Sequence, residues 1–82
     1  MEIEILTPEK TLFEGEVRSL KVPGNKGEFQ VLKDHAPIVS TLGKGKITIS
    51  EPSGVLTDFE IDGGIVEVRK NKIILLVEGI KS

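Results

Sequence analysis

The chain has no cysteine, no tryptophan and no tyrosine, and a single histidine, His35. Without cysteine there are no disulfides, no thiolate metal sites and no thiol nucleophile. One imidazole and scattered carboxylates form no clustered ligand set for a metal. General acid–base catalysis needs a group of suitable pKa held within reach of substrate, and no second group is evident to orient His35. The aromatics are three phenylalanines, and eleven basic against thirteen acidic residues are interspersed, leaving a net charge of −2. Nucleic-acid binding depends on concentrated Lys/Arg and, for single strands, on stacking aromatics, so this composition speaks against it. The longest apolar run, Ile73-Ile74-Leu75-Leu76-Val77, is strand-sized, well short of the roughly 18–20 residues of a spanning helix. Met1 is followed directly by Glu2-Ile3-Glu4-Ile5, which does not read as a leader, so a soluble domain starting in its first strand is expected.

What is present has a period of two. Glu2-Ile3-Glu4-Ile5, Ile47-Thr48-Ile49, Asp58-Phe59-Glu60-Ile61-Asp62 and Ile65-Val66-Glu67-Val68-Arg69 alternate, which puts one face in a core and the other in water. Glu2, Glu4, Asp58, Glu60 and Asp62 then read as a solvated face. The run Ile73 to Val77 is apolar on both faces, as in a central strand or one covered by a partner. Turn signals separate these runs at Thr7-Pro8-Glu9, Pro23-Gly24-Asn25, Gly43-Lys44-Gly45, Glu51-Pro52-Ser53-Gly54 and Lys70-Asn71-Lys72. With nine Gly and four Pro in 82 residues, no stretch is left for a good helix. Short strands at this spacing predict a single all-β domain over 1–82, a sandwich or barrel. Leu20 and Val22 are in phase but Val17 is not, so a break or bulge is expected near Arg18-Ser19.

Gly24-Asn25-Lys26-Gly27 has the look of a phosphate loop but lacks the Gly-Lys-Ser/Thr ending and following helix, which leaves a turn between strands. Gly63-Gly64 lies inside a strand pattern, where glycine permits a bulge or a close approach, either to internal packing or to a partner. At this level two classes compete. One is an interaction subunit. The other is a lipoyl- or biotinyl-type carrier domain, whose modifiable lysine would have to be in Lys33-Asp34 or Asn71-Lys72-Ile73, neither of which has the usual carrier context.

Five pieces in order point to a family. They are Leu6-Thr7-Pro8-Glu9-Lys10 with Leu12-Phe13-Glu14-Gly15-Glu16-Val17, then Val22-Pro23-Gly24, Gly27-Glu28, His35-Ala36-Pro37-Ile38, and Gly63-Gly64-Ile65-Val66-Glu67-Val68. Across essentially its whole length the chain resembles the N-terminal β-sandwich of F-type ATP synthase epsilon subunits. It departs from that pattern at Phe29-Gln30 and at Lys33-Asp34, where the family has Pro-Gly, although Asp34 suits a turn. The family continues into a helical hairpin that carries regulatory inhibition and, in some members, ATP binding. Here the sequence stops at Lys81-Ser82, so neither property is expected of it.

The resemblance implies a ten-stranded sandwich of two sheets in the central stalk, non-catalytic and without cofactor or metal. It implies a module that couples the gamma subunit to the c-ring within the alpha, beta, gamma, delta and epsilon complex. Membrane association would come only through that complex, at the cytoplasmic face of a bacterial plasma membrane or its plastid equivalent. By position in the matching motifs, Thr7, His35, Pro37 and Ser40 fall at the gamma contact and Glu28 at the c-ring contact. Thr7 reads equally well as a plain turn residue, and Ile38 and Val39 as core.

Overall fold

The computed structural model describes residues 1–80, which form nine strands and no helix. These are β1 (Glu2–Leu6), β2 (Thr11–Glu16), β3 (Ser19–Gly24), β4 (Gly27–Leu32), β5 (Ile38–Leu42), β6 (Gly45–Ser50), β7 (Leu56–Ile61), β8 (Gly63–Arg69) and β9 (Lys72–Glu78). The all-β expectation holds, while the detail of ten strands in two sheets is met only roughly. The strands form one hydrogen-bonded path, β2-β1-β9-β8-β5-β3-β6-β7, with β4 on the other edge of β3. The two layers of the sandwich are its two halves, β2-β1-β9-β8-β5 and β4-β3-β6-β7, and a single residue pair, Gly24 with Leu42, joins them. Pro23 accounts for the narrow junction. β3 pairs with β6 only from Ser19 to Lys21. Alternation of the ladder aims the nitrogen of Pro23 at that same edge, and without an N–H it cannot extend the pairing.

The alternating runs bury as their period predicts. Ile3 and Ile5, Ile47 and Ile49, Val66 and Val68, and Ile73, Leu75 and Val77 all point into an aliphatic core that also takes Leu20, Val22 and Val31. Phe13, Phe29 and Phe59 pack only at its margin. The expected break lies between β2 and β3. There Val17 is buried, its N–H donates to Met1 O (2.8 Å), and the Arg18 N–H donates to Ser50 O (2.7 Å). In two residues the chain crosses from one layer to the other. A second, unexpected bulge lies between β1 and β2, where the pairing shifts between Ile5 and Leu6 and leaves Leu12 as the extra residue.

Candidate functional site

The outer face of β1, β9, β8 and β5 grades from charged to apolar along the strands. The registers place Glu2, Lys72 and Arg69 in one row, then Glu4, Ile74, Glu67 and Val39, then Leu6, Leu76, Ile65 and Thr41. Lys72 Nζ lies 3.2 Å from Glu4 and 3.4 Å from Glu2, and Arg69 pairs with Glu67 at 3.1 Å. The hydrogen bond to the Glu4 carboxylate, then the one to Glu2, raises the Lys72 pKa above its ordinary 10.5. The third row carries no charge, and its Ile65 (45%) and Leu76 (51%) remain exposed, as does Val39 (71%) in the row before it. A groove of about 540 Å³ runs there, walled by Leu6, Thr7, Thr41, Ile65, Leu76 and Glu78. Exposed apolar side chains gathered on one sheet face mark an interaction surface. The double-sided apolar character of Ile73 to Val77 was its sequence signal. One side of β9 builds the core, and the other puts Ile74 and Leu76 on this face.

A second groove, about 590 Å³, separates β5 from the tip of the β3–β4 hairpin and is lined by Asn25, Glu28, Phe29, Val39, Ser40 and Thr41, among others. Its shape comes from the Gly24-to-Gly27 segment, which is a tight turn, as expected of it. Pro23 and Gly24 finish β3, Asn25-Lys26 is the loop, and Gly27 has a φ of 127° that a side chain would resist. Asn25 then ties the tip to β5, with its N–H on Thr41 O at 3.2 Å and its Nδ2 on Thr41 Oγ1 at 2.7 Å. Thr41 thus lines both grooves.

The five residues singled out from sequence are distributed around these features. Glu28 and Ser40 meet across the second groove, and Thr7 lines the first. Glu28 is exposed on β4 and pairs with Lys21 at 3.3 Å, so its carboxylate has a partner within the chain. The Thr7 hydroxyl is held in its turn, where the Lys10 N–H donates to Thr7 Oγ1 at 3.2 Å. His35 is half-buried in the β4–β5 loop with Nδ1 2.7 Å from Ala36 O, and Pro37 is exposed just before β5; both lie outside the two grooves. Asp34 takes the left-handed conformation (φ 64°), a backbone geometry that glycine adopts freely and Asp tolerates. Of the two residues open to a core reading, Ile38 packs against the core and Val39 points outward. Gly63-Gly64 serves internal packing: a Cβ on Gly64 would collide with the Leu76 carbonyl of β9.

A curled sheet with an aliphatic core, one apolar outer face and charged margins defines a small interaction module rather than a pocket enzyme. Residues 1–82 match the family of the ATP synthase delta/epsilon chain β-sandwich domain, and the chain belongs to that family. It is 44% identical over 78 residues to the ATP synthase epsilon chain of Chlorobium limicola, covering 95% of this chain and 89% of that one. To the epsilon chain of Leptospira borgpetersenii it is 40% identical over 95% of its own length, but it spans only 61% of that protein. The fold superposes with a TM-score of 0.90 on a chain of the Euglena gracilis mitochondrial ATP synthase (OSCP/F1/c-ring), at 20% identity over 96% of this chain and 51% of that chain. A chain of the Tetrahymena thermophila central stalk and c-ring gives a TM-score of 0.81 at 24% identity, over 99% of this chain and 65% of that one. At these identities the structural likeness is one of fold.

Neither lysine named for the carrier alternative occupies a hairpin tip. Lys72 is the first residue of β9 and is held between two carboxylates, and Lys33 sits before the strained Asp34 without a hairpin tip to present it.

Proposed function

We propose that residues 1–82 form one β-sandwich module of a non-catalytic central-stalk subunit in a proton-translocating F-type ATP synthase. It couples the gamma subunit to the c-ring, so that rotation driven at the membrane reaches the catalytic sites as torque. The observation that carries this reading is the apolar row Leu6, Leu76 and Ile65 with Val39 beside it, a surface left uncovered by the described residues, in a member of the delta/epsilon family. Gamma packs on that face, with Thr7 and Ser40 beside it and His35 and Pro37 at the end of β5. Glu28 forms a charged rim contact with the c-ring. The chain needs no cofactor for this role and meets the membrane only through the complex, at the cytoplasmic face in a bacterium or the plastid equivalent.

Leu76→Lys tests the reading against Leu56→Lys, which replaces a still more exposed leucine (66%) on β7, in the other half of the sheet. Each variant is co-expressed with gamma and the recovered complex is measured alongside thermal melts. Leu76→Lys should lose about tenfold or more in affinity, as expected for removing ~1.5–3 kcal/mol of apolar burial. Leu56→Lys should bind normally. Equal binding by both variants would refute the assignment of this face.

A further inference from the structure

The edges of the sheet are not all alike. Among the described residues, β2, β4 and β7 each have an edge without a strand partner, and each carries acid residues: Glu14 and Glu16 on β2, Glu28 on β4, Asp58 and Glu60 on β7. Charged side chains on an edge, together with the bulge at Leu12, are how sheet proteins discourage unwanted pairing. β5 (Ile-Val-Ser-Thr-Leu) also has an open edge, because it meets β3 only at Leu42. It is the only one of the nine strands with no charged residue.

The ladder shows which groups that edge offers. The Leu42–Gly24 pair is flanked by Asn25 N–H to Thr41 O and Gly43 N–H to Pro23 O, so odd-numbered residues of this segment point away from β8. The Pro37 C=O, the N–H and C=O of Val39, and the Thr41 N–H therefore project from the open edge. Among the described residues no backbone hydrogen bond joins them to another strand. Those of Val39 and Thr41 open onto the groove of about 590 Å³. We propose that this edge is a strand-addition site, filled by a short, extended, uncharged segment of the partner subunit that lies beside β5 as a sixth strand of that half-sheet. Backbone pairing supplies the binding, and the outward Val39 side chain, 71% exposed, continues the apolar face to the new strand. The occupant is a protruding segment rather than a second copy of this chain, because the β5 edge is recessed behind the Asn25 tip and two recessed edges do not reach each other. This inference rests on the gamma-docking reading above and adds to it the mode of attachment.

The test is residue-level amide hydrogen exchange on the whole chain, alone and in complex with gamma, together with two substitutions. Val39→Pro deletes the outward N–H without removing a β5–β8 hydrogen bond, and Val39→Thr keeps it. Assembly should slow exchange at Val39 and Thr41 by about 100-fold or more. Val39→Pro should bind gamma about tenfold more weakly, the order expected from losing one backbone hydrogen bond, while Val39→Thr binds like the parent. A complex in which the Leu76 face is protected but Val39 and Thr41 still exchange freely overturns strand addition and leaves docking intact. Absence of any complex overturns the docking reading and this inference with it. Protection of the same amides in the free chain, rising with concentration as the mass doubles, assigns the edge to a second copy and overturns the partner assignment. If Val39→Pro fails to fold, exchange in the parent chain still decides.

Discussion

Gly64→Ala probes the packing that supports the apolar face. Gly64 lies on β8 opposite Val77, and β9 is held between β8 and β1. A Cβ at this position would meet the Leu76 carbonyl oxygen at impossible range, Val77 Cα at 3.2 Å and Leu76 C at 3.3 Å. All three atoms are backbone of a central strand, which cannot rotate aside as a side chain would. Overpacking of this kind costs about 1–3 kcal/mol, and a rigid neighbour puts the cost near the top of that range. A domain this small has on the order of 5–10 kcal/mol in total. With 4–8 °C lost per kcal/mol, a cost of ~3 kcal/mol lowers the melting temperature by roughly 12–24 °C. Gly63→Ala is the internal control, since its nearest contact is the flexible Glu78 carboxylate at 3.1 Å. It should melt within about 5 °C of the parent. Thermal melts followed by far-UV circular dichroism measure both. If Gly64→Ala melts within about 3 °C of the parent, the close β8–β9 approach is not the constraint described.

Asp34→Gly should be neutral or stabilising by up to about 1 kcal/mol in denaturant melts, and Asp34→Val should be destabilising, because φ of 64° suits glycine and strains a β-branched residue. Lys72 binds its proton more tightly folded than unfolded, so its stabilising contribution is present below the ordinary value of 10.5 and fades as pH rises through the raised folded value. Melts of the parent and Lys72→Met should therefore differ at pH 7 and converge as pH rises past the raised folded value, and added salt should shrink the difference at pH 7. Glu28→Gln should weaken coupling between proton pumping and ATP hydrolysis only mildly, while Glu28→Lys should weaken it more. Both should fold normally, since the Lys21–Glu28 pair is exposed and such pairs contribute about 0–1 kcal/mol.

The strands legible in the sequence were those with one buried face. In Glu2 to Ile5 and Asp58 to Ile61 the alternation of charged and apolar residues fixes which side is which, and the phase slip at Val17 marks the crossing between layers. Ile38-Val39 carries no such mark. Two adjacent apolar residues have no phase, so only the β5–β8 register reveals that Ile38 turns inward and Val39 outward. The bulge at Leu12 was hidden because Leu12 and Phe13 are both apolar and either could be the extra residue. The single closure between Gly24 and Leu42 depends on a contact eighteen positions apart that no local pattern encodes. Glu28 was legible as an exposed acid, but its pairing with Lys21 follows from the β3–β4 register.

If gamma docks on the Leu76 face, this chain is held in the central stalk of a rotary complex. Affinity purification of the tagged chain from its native membranes, with subunit identification by mass spectrometry, tests it most directly. Alpha, beta, gamma and c subunits should be recovered with the parent chain, and all four should be lost with Leu76→Lys although that variant folds. Recovery of an acyltransferase or carboxylase with a mass increment on one lysine, or of the chain without gamma, would contradict it.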